Sequence, residues 1–186
     1  MKTQFDVESF LKKGKIQNEL DFERALIADR KLRVMAKENP KLKAVRKKLR
    51  DLIEAYENKT WASNSEITEE KLKESDWAEQ IAEKERLFIH NRKNLIKNKL
   101  KELDLSQQDF GVILGHTSKS YMSELMNGVS PFSLKDLVVI SQLLKIDLTD
   151  LVPTFLPQKE RIKIKTSIKK LDNPKLSLSE DDFALA

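Results

Sequence analysis

The 186-residue chain has no cysteine, only four glycines and five prolines, and 6% aromatic residues. The missing cysteines exclude disulfides and thiolate metal sites and suit a reducing compartment. So few glycines and prolines leave long runs that can be helical. No stretch approaches the roughly 18 apolar residues of a membrane span. The opening "MKTQFDVESFLKKGK" lacks the apolar centre of a signal peptide. A cytoplasmic chain without a membrane segment is expected. There is no G-x-G-x-x-G and no Walker glycine loop. No Ser/His/Asp grouping has the turn context of a nucleophile. The two histidines, His90 and His116, make no zinc-ligand pattern. His116 falls in a predicted turn, where it either hydrogen-bonds locally or faces a phosphate. The expectation is therefore no enzyme, no metal and no cofactor.

Charge is plentiful. Charged residues make up 35% and apolar residues 39%, the balance of a folded chain with a modest core. The net charge of +5 is unevenly placed. Residues 30–50 hold ten basic and one acidic residue (+9), while residues 51–80 hold three and nine (−6). Residues 1–29 stand at −1, 81–160 at +1 and 161–186 at +2. Such asymmetry speaks of partners rather than fold. Arg46, Lys47, Lys48 and Arg50 read equally as a nucleic-acid patch or as a solvated helix face. The acidic stretch reads most simply as solvated.

Apolar spacing predicts helices throughout. Asn18 caps a helix whose stripe is Phe22, Ala25, Ala28, Leu32, Met35 and Ala36, widened by Leu26. Asn39-Pro40 stops it. Leu42, Val45, Leu49, Leu52, Ile53 and Tyr56 form a second stripe, so residues 1–60 read as an antiparallel helical hairpin, with a short helix at 7–13 before it. Periodicity fails over residues 58–65, the linker-like "NKTWASNS", and residues 61–84 read as linker and short helices, starting near Thr68 and Ser75. Phe22, Leu26, Tyr56 and Trp61 are candidate partner contacts, since aromatics dominate interfaces, but packing is their commoner role.

From 85 to 156 the pattern becomes dense. A helix from about Phe88 is defined by Leu95, Ile96, Leu100, Leu103 and Leu105, with a basic exterior of Arg92, Lys93, Lys97, Lys99 and Lys101. Ser106-Gln107-Gln108-Asp109 has the form of a capping box. The helix behind it should bury Phe110, Ile113 and Leu114, and Gly115 suits a left-handed end. A further helix starts near Ser118, buries Met122, Leu125 and Met126, and ends at Asn127-Gly128. Ser133 caps another, with Leu134, Leu137, Val138, Ile140, Leu143 and Leu144 inward. Leu148, Leu151 and Val152 make a last turn. Residues 157–186 form an irregular tail: "RIKIKTSIKKL" is an edge strand, a basic arm or disorder, and "SEDDFALA" an acidic frayed end.

A helix, a tight turn at Gly115-His116-Thr117 and a second helix with an exposed polar start follow the helix-turn-helix plan. In that plan the start of the second helix enters the major groove, where short polar and basic side chains reach base edges. A purely structural helical hairpin is the plain alternative; the five-helix spacing is the more specific signal. "LSQQDFGVILGHTSKSYMSELMNGVSPFSLKDLVVISQLLKIDLTDLV" resembles the Xre-type, phage-repressor-like helix-turn-helix domains. The resemblance spans about residues 88–152. It implies an all-α protein that reads double-stranded operator DNA. It implies base reading by Lys119, Ser120 and Glu124 with Ser123 nearby. It implies phosphate contact by Gln107, by the turn residues Asn127, Gly128 and Ser130, and by Ser133 and Lys135. Ser118 and Tyr121, at the exposed start, join the phosphate set. The near-neutral charge of 81–160 means that other basic segments or dimerisation must add affinity.

"IQNELDFERALIADRKLRVMAKENPKLKAVRKKLRDLIEAYE" is similar, in pattern and order, to the N-terminal region of HigA-type antitoxins. That resemblance implies a homodimeric repressor whose N-terminal helices bind a small mRNA-cleaving toxin of the HigB/RelE type. The basic charge of 30–50 sits awkwardly against a basic toxin. The alternative is a stand-alone Xre-type regulator whose N-terminal helices dimerise or bind another protein.

Overall fold

The computed structural model describes residues 5–61, 68–154, 156, 158–173 and 175–176, with the backbone alone at Trp61, Gln158 and Lys159. The second half of the linker motif, residues 62–65, and the acidic "SEDDFALA" end lie outside the described residues. Every regular element among the described residues is helical. No helix there is long and apolar enough to cross a membrane. Two compact units divide at Val152 and Pro153.

In the first unit, α1 spans Val7–Lys13, α2 Glu19–Met35 and α3 Leu42–Trp61. Asp6 and Asn18 cap α1 and α2 by accepting from the backbone N–H of Ser9 and Asp21. α2 buries Phe22, Ala25, Ala28 and Leu32, the three-and-four spacing read from the sequence. Against it α3 sets Leu42, Leu49 and Ile53. Arg46 meets Asp29 and the Tyr56 hydroxyl donates to Glu19 at 2.8 Å, so the two helices run antiparallel.

α4, Glu69–Glu102, is a single 34-residue helix. The expected start at Thr68 heads it, the Thr68 hydroxyl accepting from the Lys71 N–H at 3.3 Å, but the helix is not short: the expected starts at Ser75 and near Phe88 fall inside it. Ser75-Asp76 is only a local preference for a cap, whereas Ala78, Ile81 and Ala82 bury a face in the interior. No glycine or proline interrupts the run. The 84/85 boundary therefore falls inside a helix, and the N-terminal helices share one compact unit with everything up to Val152. α2 packs along α4, where Arg24 grips the Glu85 carboxylate with both its Nε, at 2.7 Å, and a terminal nitrogen.

α5 (Gln107–Leu114), α6 (Lys119–Asn127), α7 (Leu134–Leu144) and α8 (Leu148–Leu151) follow. With Ile96 and Leu100 of α4 they enclose Phe110, Leu114, Met122, Leu125, Ile140 and Leu151. The predicted inward faces were too wide. Ile113 is 47%, Leu134 76%, Val138 40% and Leu143 38% exposed, because α5 and α7 are covered on one side alone.

The second unit contains α9, Gln158–Leu171. The irregular tail is thus helical over 14 residues. The rough alternation of isoleucines misleads there: the run has no glycine or proline and is rich in lysine, a good helix former.

Candidate nucleic-acid interface

The helix-turn-helix is built from its caps inward. Ser106 heads α5: its hydroxyl accepts from the Asp109 N–H at 3.1 Å, and the Asp109 carboxylate accepts from the Ser106 N–H at 3.0 Å. This reciprocal box holds Asp109 below the ordinary carboxylate range, chiefly through the Ser106 hydroxyl. Gly115 ends α5 at φ 84°. Gly111 lets the next helix close: a Cβ there would stand 2.7 Å from the His116 carbonyl oxygen and 2.8 Å from Met122 Cγ. Ser118 then caps α6 by accepting from the Tyr121 N–H at 3.2 Å.

α6 presents the expected two faces. Met122, Leu125 and Met126 are buried, while Ser118, Lys119, Ser120 and Tyr121 are exposed. Ser123, Glu124 and Asn127 are half-buried. The predicted contacts then separate into two groups. Gln107, Lys119, Ser120, Ser123 and Asn127 line one cleft of about 680 Å³, whose opposite wall is the α2–α3 turn with Val34, Met35, Glu38, Asn39 and Leu42. Tyr121 and Glu124 face the other way, toward α1. Burial raises the Tyr121 hydroxyl, and Asp136, Glu124, Asp6 and Glu8 raise it further. Burial also raises the Glu124 carboxyl; Ser130, donating at 3.4 Å, opposes this and Glu8 adds to it. The segment after α6 is pinned by α1, whose Val7 N–H donates to the Val129 carbonyl at 3.2 Å.

Several residues assigned to phosphate are engaged inside the protein. Gly128 is buried and closes α6 in a left-handed conformation at φ 68°. Asn127 uses its whole amide internally: Lys93 Nζ donates to its oxygen at 2.6 Å, and its nitrogen donates to the Ser123 carbonyl at 2.7 Å. The Ser133 hydroxyl donates to Asp136 at 2.7 Å while capping α7. Lys135 Nζ donates to the Leu114 carbonyl at 3.2 Å, which places its charge on the C-terminal end of α5 beside the turn.

Two supporting residues escaped the sequence reading. Asp136 is 1% exposed, accepts from the Ser133 N–H and hydroxyl, and lies 3.2 Å from His116 Nε2. Burial alone would raise its carboxyl, but Ser133 and His116 together hold it below the usual value. The Ser133-x-x-Asp136 capping pattern was the available signal. His116 also meets the Tyr121 ring edge-on at 5.2 Å, so it makes the local contacts that were one of its two expected roles. Arg92 does not belong to the basic exterior. It is 4% exposed, donates to the Leu151 carbonyl at 3.1 Å, and sits over the rings of Phe88 and Phe132. Burial lowers its guanidinium to about 10. Its place three residues after Ile89 and four before Ile96 marks it as an interior position.

The N-terminal partner candidates are packing residues of this chain. The Phe22 ring, 8% exposed, stacks on Tyr56 with centroids 5.1 Å apart, and Leu26 packs against the same core. The Trp61 side chain lies outside the described residues. No group of three or more metal-ligating side chains occurs among the described residues.

Residues 96–151 match the helix-turn-helix family model. The match covers the end of α4 through α8 and supports a DNA-binding transcription regulator of the Xre type. No curated protein and no solved structure matches the chain.

Proposed function

We propose that the chain is a sequence-specific DNA-binding repressor that reads an operator through the start of α6. One observation carries this reading: Ser118, Lys119 and Ser120 stand exposed on the capped N-terminal turn of a helix whose other face is anchored by Met122, Leu125 and Met126. Such a turn offers side chains to base edges and unpaired backbone N–H groups to a phosphate. Lys119 is the principal reader, with Ser120 and Ser123 beside it; Glu124 belongs to the set, inclined toward α1. A homodimer on two half-sites about one helical turn apart completes the proposal. Leu134 and Val138, one turn apart and exposed on α7, are apolar surface available to a second copy.

The test is fluorescence anisotropy with DNA from immediately upstream of the gene against a scrambled duplex. Lys119→Ala should relax discrimination by about 1–3 kcal/mol. Unchanged preference removes Lys119 from the reading head, and no preference in the wild type removes the proposal.

The finer part is an antitoxin role: the N-terminal helices neutralise a HigB/RelE-type toxin while α4–α8 repress the operon. Its support is the similarity of residues 16–57 in pattern and order to HigA-type antitoxins. Co-expression with the neighbouring gene product tests it; a stable complex supports it, and repeated isolation of the chain alone counts against it. The inward packing of Phe22, Leu26 and Tyr56 favours the second reading, a stand-alone regulator, because it removes these side chains from any partner surface.

A further inference from the structure

We propose that the α2–α3 turn is a second DNA contact, whose lysines and arginines hold the phosphate backbone bordering the groove that α6 enters. This rests on the DNA reading proposed above.

The matched domain cannot supply the electrostatics. Residues 96–151 contain six basic and seven acidic residues, a net charge of −1. Duplex affinity comes largely from neutralising phosphates, so a domain of that charge binds weakly alone. The missing charge is in residues 30–50, at +9.

The fold brings the turn that carries this charge beside the reading helix. α2 lies along α4, held by Arg24 on Glu85, and its C-terminal end reaches the level of α6. The α2–α3 turn and the start of α6 line one cleft, to which Lys93 and Lys97 of α4 contribute; the turn's charged residue in that cleft is Glu38, and its cations line a separate concavity on the same turn. The backbone strands that border a major groove flank the helix inserted in it. The nearest polyanion to the turn is therefore the strand on that side.

The cations of the turn are available. Arg46 is held by Asp29 at 2.8 and 3.2 Å. Arg33, Lys37, Lys43, Lys47 and Arg50 form no ion pair among the described residues, and all are exposed. Together they line a shallow concavity of about 380 Å³ without an acid. A merely solvated helix face interleaves both signs and gains from acid–base pairs one turn apart. α3 does the reverse: its first turn carries no acid and its start is basic, where the helix dipole disfavours cations. A bound polyanion relieves that repulsion.

The experiment uses the full chain carrying Lys37→Gln, Lys43→Gln and Lys47→Gln, with a triple Lys→Arg control. Fluorescein-labelled duplexes, one from upstream of the gene and one scrambled, are titrated across a salt series. Both affinities should fall together by about tenfold or more, with preference between duplexes kept. The slope of log K against log salt should become shallower by about one for each lysine that met a phosphate. The Arg control should bind as the wild type does. Wild-type discrimination with an unchanged or tighter triple Gln variant overturns this inference alone. A wild type that binds neither duplex overturns the DNA reading and this inference with it.

Discussion

Lys93, in the C-terminal half of α4, holds Asn127, the last residue of α6, by a charge-assisted hydrogen bond of 2.6 Å. The same asparagine passes its amide N–H to the Ser123 carbonyl, so the proposed reading helix is tied at its C-terminal end to the longest helix of the fold. Its N-terminal end is free to meet DNA while its orientation is fixed from behind.

Removing that tie should be measurable. Lys93→Met keeps the stem and deletes the donor, leaving a half-buried amide oxygen unserved. The expected cost is about 1–3 kcal/mol, read as a lower urea midpoint with an unchanged m-value. A midpoint equal to the wild type's would show that the contact contributes nothing. Burial lowers the Lys93 ammonium below its usual value, so the bond should also weaken earlier on the alkaline side than an exposed lysine pair would.

The Ser133–Asp136 box gives a pH signature. The folded state holds Asp136 below its ordinary value. A carboxyl depressed on folding contributes stability that is present above the ordinary carboxylate range and lost as pH falls through the folded value. Ser133→Ala removes one of the groups that hold it down. It should cost about 1 kcal/mol near neutrality, and the gap to the wild type should close as the solution is acidified. Urea midpoints from pH 7 to pH 3 report this; a gap that stays constant would mean the serine acts without the charged carboxylate.

Two glycines separate crowding from backbone strain. Gly111→Ala puts a methyl 2.7 Å from a backbone oxygen that cannot swing away. The α5–α6 turn must open, at about 1–3 kcal/mol, and DNA affinity should fall with it. Gly14→Ala meets nothing within 4 Å and carries only the penalty of φ 69°, about 1 kcal/mol. Thermal unfolding of the pair should place Gly111→Ala as the more damaging; the reverse order would mean the turn absorbs the methyl.

Local signals carried much of this molecule. The stripe from Phe22 to Ala36, the box at Ser106, the cap at Ser133, and the left-handed Gly115 are all periodic or capping features within a few residues. They came through because each is decided by its own neighbours. What escaped was decided at long range. Ser75-Asp76 has the look of a helix start, yet burial of Ala78 and Ile81 carries α4 straight through it. Arg92 looks like the lysines around it in sequence, but two rings and the Leu151 carbonyl accommodate it inside. Above all, no local pattern indicated that α1 would pin the segment after α6, or that the α2–α3 turn would share a cleft with Lys119.

Lys31 shows the same packing from its unfavourable side. It lies between α2 and α4, where burial first, then Arg92, Arg86 and Lys93, lower its ammonium to about 8. The Glu85 carboxylate that would offset it is committed to Arg24. The unfolded chain holds this proton up to about pH 10.5 and the folded chain releases it near 8. Between those values the unfolded state binds more protons, so stability rises with pH across that window. Below it, a charged lysine is carried at a cost. Lys31→Met keeps the apolar stem, and should stabilise the fold at pH 7 by on the order of 1–2 kcal/mol. It should also flatten the rise between pH 8 and pH 10. Urea midpoints of both proteins at pH 7, 8.5 and 10 decide the matter. A variant less stable than the wild type at pH 7 would mean that the ammonium is satisfied where it lies, and that the crowding of cations at the α2–α4 seam is not a strain on the fold.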